Sequence, residues 1–176
     1  MSVSSHLNPE PERRLWIIHE NLKRTLEWTD VKSACVAAFC AAQALAAVRF
    51  LPGGGALSFA SASLSLGALA GLLGLSPLVE MRRKVPLADA GRDKRPTGDP
   101  LLSPQEIARY PQMELVILLD RYLGGGITAT PYYEDIVGEI VACARVTVRK
   151  RRFFWAACAL AAAAQPALLF LILNPR

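Results

Sequence analysis

The chain has 176 residues, the length of one domain, and 52% of them are hydrophobic while only 20% are charged. The charges are clustered and leave three long stretches nearly free of them, which is the distribution of a membrane protein and not of a water-soluble core. Most of the net charge of +5 sits in the clusters Arg82-Arg83-Lys84 and Arg149-Lys150-Arg151-Arg152; no stripe of basic and stacking residues lies elsewhere, which argues against a nucleic-acid polymer as partner.

The first seven residues are polar, with no apolar core of the kind a cleavable signal peptide carries. Asn8 and Pro9 read as the cap and first residue of a helix. From Arg13 the helical period is clear, with Leu15, Ile18, Leu22, Leu26 and Thr29 on one stripe. Asn21, Trp28 and Lys32 share a second stripe, suited to anchoring at lipid headgroups or to a polar contact surface; Asp30 points to the opposite side. Residues 1–32 are therefore expected to form a cytosolic N-terminal amphipathic helix.

Residues 33–51 form the first apolar segment, just long enough to span and interrupted only by Arg49, which can snorkel outward. Pro52-Gly53-Gly54-Gly55 predicts a reversal. Residues 56–79 form the second span. Its Ser63, Gly67 and Gly71 recur every fourth position and make a shallow face that another helix can approach closely. Ser76-Pro77 predicts a kink or loosened turn near its end.

Residues 80–152 read as a cytosolic helical section that includes a loop at 86–100, rich in Pro, Gly, Asp and Arg. Ser103-Pro104-Gln105-Glu106 has the form of a capping box. Residues 113–123 form a short helix with a broad apolar face, stopped by Gly124-Gly125-Gly126. Thr130-Pro131 starts the last helix. Its stripe of Ile136, Ile140, Ala144 and Val148, with Val137 and Val141, is expected to pack on the leucine stripe of the N-terminal helix and the face around Leu118, forming a small helical bundle. The helix then meets four cations followed by Phe153-Phe154-Trp155, the residue order of a membrane-water boundary. Residues 153–174 make the third span.

The expected fold class is thus an all-α membrane protein. Three transmembrane helices run N-in and C-out, and a small cytosolic helical bundle is continuous with spans 1 and 3. With both basic clusters inside, only Arg49 and Arg176 of the 20 cationic residues fall outside.

Catalytic chemistry is not legible. The sequence has no Gly-x-Ser-x-Gly turn, and His19-Glu20 lacks the second histidine of a zinc protease, because position 23 is Lys. Cys35, Cys40, Cys143 and Cys158 have no metal-ligand spacing. The triple glycine lacks the Lys-Ser or Lys-Thr of a phosphate loop. The spans hold no acidic residue and no histidine, which argues against a proton relay or coupled-ion transport. No enzyme, cofactor or metal is expected. What remains is a signalling, assembly or pore-forming membrane protein.

Asn21, Trp28, Asp30 and Lys32 lie in the stretch NLKRTLEWTDVKSACVAAF, which leads into the first span. A two-span hairpin, a helical section and a charged helix with an Ile/Val stripe and basic end follow, running into a third span. This arrangement resembles the small transmembrane effectors of the Pycsar antiphage systems, best over residues 15–48 and 132–173. The middle departs: an aromatic-Phe-Gly element after the second span is missing. The resemblance implies a protein of the bacterial inner membrane that senses cyclic CMP or cyclic UMP from a partner cyclase and disrupts the membrane, ending growth before phage multiply. It also implies a homo-oligomer in the bilayer. The residues are compatible with such a ligand. Lys23, Arg24, Lys32, Arg145 and Arg149 offer cations for its phosphate, Asn21 a polar contact, and Trp16, Trp28, Tyr132 or Tyr133 a stacking surface. The expected mechanism is a ligand-driven repacking of the bundle, after which spans associate through the small-residue face. Two other readings stay open: a membrane-anchored interaction or scaffold subunit without ligand, and a holin-like pore former.

Overall fold

The computed structural model describes residues 10–50, 54–81, 103–123 and 131–174. The cap at Asn8, the start of the reversal at Pro52-Gly53, the loop 86–100, the glycine stop at 124–126 and the cap at Thr130 lie outside the described residues. All regular structure among the described residues is helical: α1 (Glu10–Phe50), α2 (Gly55–Leu75), α3 (Pro77–Met81), α4 (Pro104–Ile107), α5 (Gln112–Leu123) and α6 (Pro131–Leu173). Three of these helices are long and apolar enough to cross a membrane. Only 22–28% of their apolar stretches is buried within the chain, so most of that surface is left for lipid. At 41 and 43 residues, α1 and α6 are each about 60 Å long, twice what a hydrocarbon core requires.

The chain divides into two compact units, one of Met1–Leu26 and Arg82–Val148, the other of Glu27–Met81 and Arg149–Arg176. Both α1 and α6 pass without a break from one into the other. In the first, amphipathic unit, three apolar stripes meet in one core. Leu15 and Leu22 come from α1, Leu115, Val116 and Leu119 from α5, and Ile136, Val137, Ile140, Val141 and Ala144 from α6, with Leu118 and Val148 partly buried beside them. This is the packing that the helical period predicts.

The turn into α4 departs from expectation. Ser103 occupies the cap position, but its hydroxyl makes no capping bond. Its carbonyl accepts from the amides of Glu106 and Ile107, both at 3.1 Å. The Glu106 carboxylate turns instead to Arg109, 3.4 Å away along the same turn. The sequence box is present, but the reciprocal bond is not.

In the second, apolar unit, α2 buries Ala60, Ser63, Leu64, Gly67, Gly71 and Gly74 along one face. The second span is not a single helix over 56–79. It ends at Leu75, with Ser76 extended at ψ 146°, because the proline ring at position 77 disfavours the helical conformation in the residue before it. The Ser76 hydroxyl and amide both donate to the Leu73 carbonyl, at 2.7 and 3.1 Å, and close the helix end. The five-residue α3 then starts again, carrying Glu80.

Candidate functional site

The small-residue face of α2 is covered by the chain's own helices. A Cβ on Gly67 would lie 3.2 Å from the Cys40 sulfur and 3.4 Å from the Ala157 carbonyl oxygen. On Gly71 it would lie 2.9 Å from the Ala37 Cβ and 3.1 Å from the Ser33 carbonyl oxygen. On Gly74 it would lie 3.1 Å from the Phe153 Cβ. Ser63 is buried on the same face. The glycines therefore seat α2 against both α1 and α6 at Gly67, against α1 at Gly71 and against α6 at Gly74. Deeper in the spans, the Gln165 amide donates to Gln43 Oε1 at 3.1 Å and joins α6 to α1 through polar groups, in a region with few other polar partners.

At the polar end of these helices the four-cation run does not behave as one group. Arg151 and Arg152 are exposed, but Lys150 is 1% exposed. Its ammonium donates to Asp30 Oδ2 at 2.9 Å and to Glu80 Oε1 at 3.1 Å. Three helices, α1, α3 and α6, are thereby joined through one side chain. Of the run that the sequence sets at a membrane-water boundary, Lys150 alone is buried within the chain. The α6 register turns Lys150 inward, and two carboxylates compensate the charge that burial would otherwise make costly. Asp30 lies off the Asn21-Trp28-Lys32 stripe, as its spacing predicts. What the sequence does not reveal is its partner, 120 positions away. The only sequence signals are that Asp30 and Glu80 flank spans and that Lys150 lies at a third.

The candidate ligand residues divide between the two units. Asn21, Lys23 and Arg24 are exposed on the amphipathic unit, and Trp28 and Lys32 are exposed on the apolar unit, Trp28 at 59%. Arg149 is half-buried and belongs to the apolar unit. Arg145 is committed to the backbone: its guanidinium donates to the carbonyls of Ala108, at 3.5 Å, and Tyr110, at 3.3 Å, and burial lowers its pKa. Of the aromatic candidates, Trp16 donates from its indole N–H to the Tyr132 hydroxyl at 3.3 Å, and both rings stay half-exposed. Tyr133 lies in the core at 2% exposure, where burial first and the Asp120 charge second push its phenol up to about 12.

Two further positions went unread in the sequence. Gln112 Nε2 donates to the Glu134 carbonyl at 2.9 Å, and Gly138 gives its amide room: a Cβ there would lie 3.0 Å from Nε2. Burial raises the Cys143 thiol pKa, opposed by a Thr147 hydrogen bond and by the Lys23 charge. Among the described residues, no group of three His, Cys, Asp or Glu is placed to hold a metal ion.

Comparison of the chain with protein families, curated proteins and solved structures gives no match.

Proposed function

We propose that the chain is a membrane effector of a Pycsar-type antiphage system. In this reading it lies in the bacterial inner membrane with its N-terminus in the cytosol, responds to cyclic CMP or cyclic UMP made by a partner cyclase, and breaks the permeability barrier. The amphipathic unit is then the cytosolic, sensing part, and the apolar unit is the part that acts on the bilayer. The chain works as a homo-oligomer.

The supporting observation is the continuity of α1 and α6. Each is a single helix that gives one end to the amphipathic unit and the other to the apolar unit. A rotation or shift imposed on such a helix at one end carries along the rod, with no loop to absorb it. The ligand needs only to favour one packing of the amphipathic unit over another. Within the amphipathic unit, the exposed cations Lys23 and Arg24 and the half-exposed rings of Trp16 and Tyr132 leave a phosphate and a base with accessible partners. The basic run at the start of the third span favours the inner leaflet for that end. Because Ser63, Gly67 and Gly71 are already covered within the chain, association of copies uses the lipid-facing surfaces or follows a rearrangement of α2.

Bacterial cells that express the chain and are supplied with cyclic CMP or cyclic UMP are expected to lose membrane potential with one of the two and to stop growing. Unchanged potential with both nucleotides overturns the proposal. Toxicity with neither nucleotide present favours a holin-like pore.

A further inference from the structure

A lysine on the flank of a membrane helix ordinarily reaches toward water and headgroups, since its long stem allows this at little cost. Lys150 does the reverse. Its side chain is 2% exposed and is held inward by carboxylates from two other helices, at 2.9 and 3.1 Å. The burial cost of an ion pair largely cancels its attraction, so well-packed apolar side chains at these positions would join the helices as firmly or more so. A charged joint is thus poorly suited to permanence and well suited to release.

Three details of the joint favour release. Asp30 uses one oxygen on Lys150, and its Oδ1 is buried without a hydrogen-bond partner. The Glu80 side chain is 56% exposed, so it can exchange the ammonium for water at small cost. Glu80 also rides on the short α3, which the Ser76-Pro77 break separates from the span. One partner is incompletely satisfied, and the other is on a separately hinged carrier.

We infer that Lys150, Asp30 and Glu80 form a release latch that keeps the three spans together at this end. Closed, it holds α2 with its glycine face seated on α1 and α6, and the bilayer stays sealed. Open, it lets the spans part at that end, and the membrane leaks. The inference rests on the reading of the chain as a membrane-disrupting effector, and it adds the element that restrains the chain at rest.

The test uses the purified full chain in vesicles of phosphatidylethanolamine and phosphatidylglycerol, with release of a trapped dye as readout and no nucleotide present. Asp30→Asn leaves the buried ammonium short of a charge and is expected to raise leak about a hundredfold. Glu80→Gln is expected to raise it about fivefold. Because the Glu80 side chain is 56% exposed, that variant is expected to keep its fold, checked by far-ultraviolet circular dichroism, and it decides the matter if Asp30→Asn does not fold. A third variant, Asp30→Leu with Glu80→Leu and Lys150→Met, replaces the charged joint by an apolar one and is expected to stay sealed. A folded Glu80→Gln protein as tight as the wild type overturns the latch, as does free leak from the apolar variant. Wild-type vesicles that ignore both cyclic CMP and cyclic UMP remove the messenger reading and leave the latch to these variants.

Discussion

Arg145 sits where a cation must choose between a ligand and the backbone, and here it takes the backbone. The carbonyls of Ala108 and Tyr110 follow α4, and one guanidinium donates to both. Arg145→Leu removes this support and is expected to cost about 2 kcal/mol locally. Hydrogen exchange of the 104–110 amides is expected to quicken in the variant, while exchange in the spans stays as it was. An unchanged rate at 104–110 would show that the contact supports nothing. Arg145 and Lys150 show where residue-level reading stops. Helical spacing gives the angle at which each leaves α6, but the sequence does not reveal that the angle meets carbonyls in one case and Asp30 and Glu80 in the other. Those partners are distant along the chain, and no period links them. Tyr133 is similar. The sequence offers it as a stacking surface, but its position one turn before Val137 puts it on the core stripe.

At the scale of the element, α2 is specified by what it lacks. Its buried face is mostly Ala, Ser and Gly, which lets neighbouring backbones come within van der Waals distance, where Leu would hold them apart. Gly71→Ala pushes a methyl to 2.9 Å from the Ala37 Cβ and 3.1 Å from the Ser33 carbonyl oxygen, so α1 and α2 must separate. The expected loss is about 2 kcal/mol, read as a lower melting temperature in detergent. Gly55→Ala, whose added methyl meets nothing within 4 Å, is the control and is expected to hold or raise the melting temperature. Equal melting of the two variants would mean that the close approach does not matter. The four-residue spacing of Ser63, Gly67 and Gly71 made this face legible, but not its occupant: another copy and the chain's own helices read alike. The Ser76-Pro77 break was legible because proline restricts its predecessor whatever the fold. The Ser103 cap was legible in position only, because the Glu106 carboxylate had a competing partner in Arg109.

At the scale of the whole molecule, three helices are long and apolar enough to cross a bilayer, and two of them extend far beyond what crossing requires. This much follows from charge distribution and helical period, since a run of some twenty apolar residues has few other stable uses. Those two helices also carry the proposed function, because they are the only described elements that belong to both units. If they transmit a signal, its origin is the amphipathic unit and its outcome is a change in how the spans pack. The most direct measurement is leak from vesicles that contain only the purified wild-type chain, with cyclic CMP or cyclic UMP added to the side that faces the amphipathic unit. The account predicts prompt release of the trapped dye with one nucleotide and a sealed vesicle without it. A membrane that stays sealed with both nucleotides, from protein shown to be folded and inserted, would contradict it.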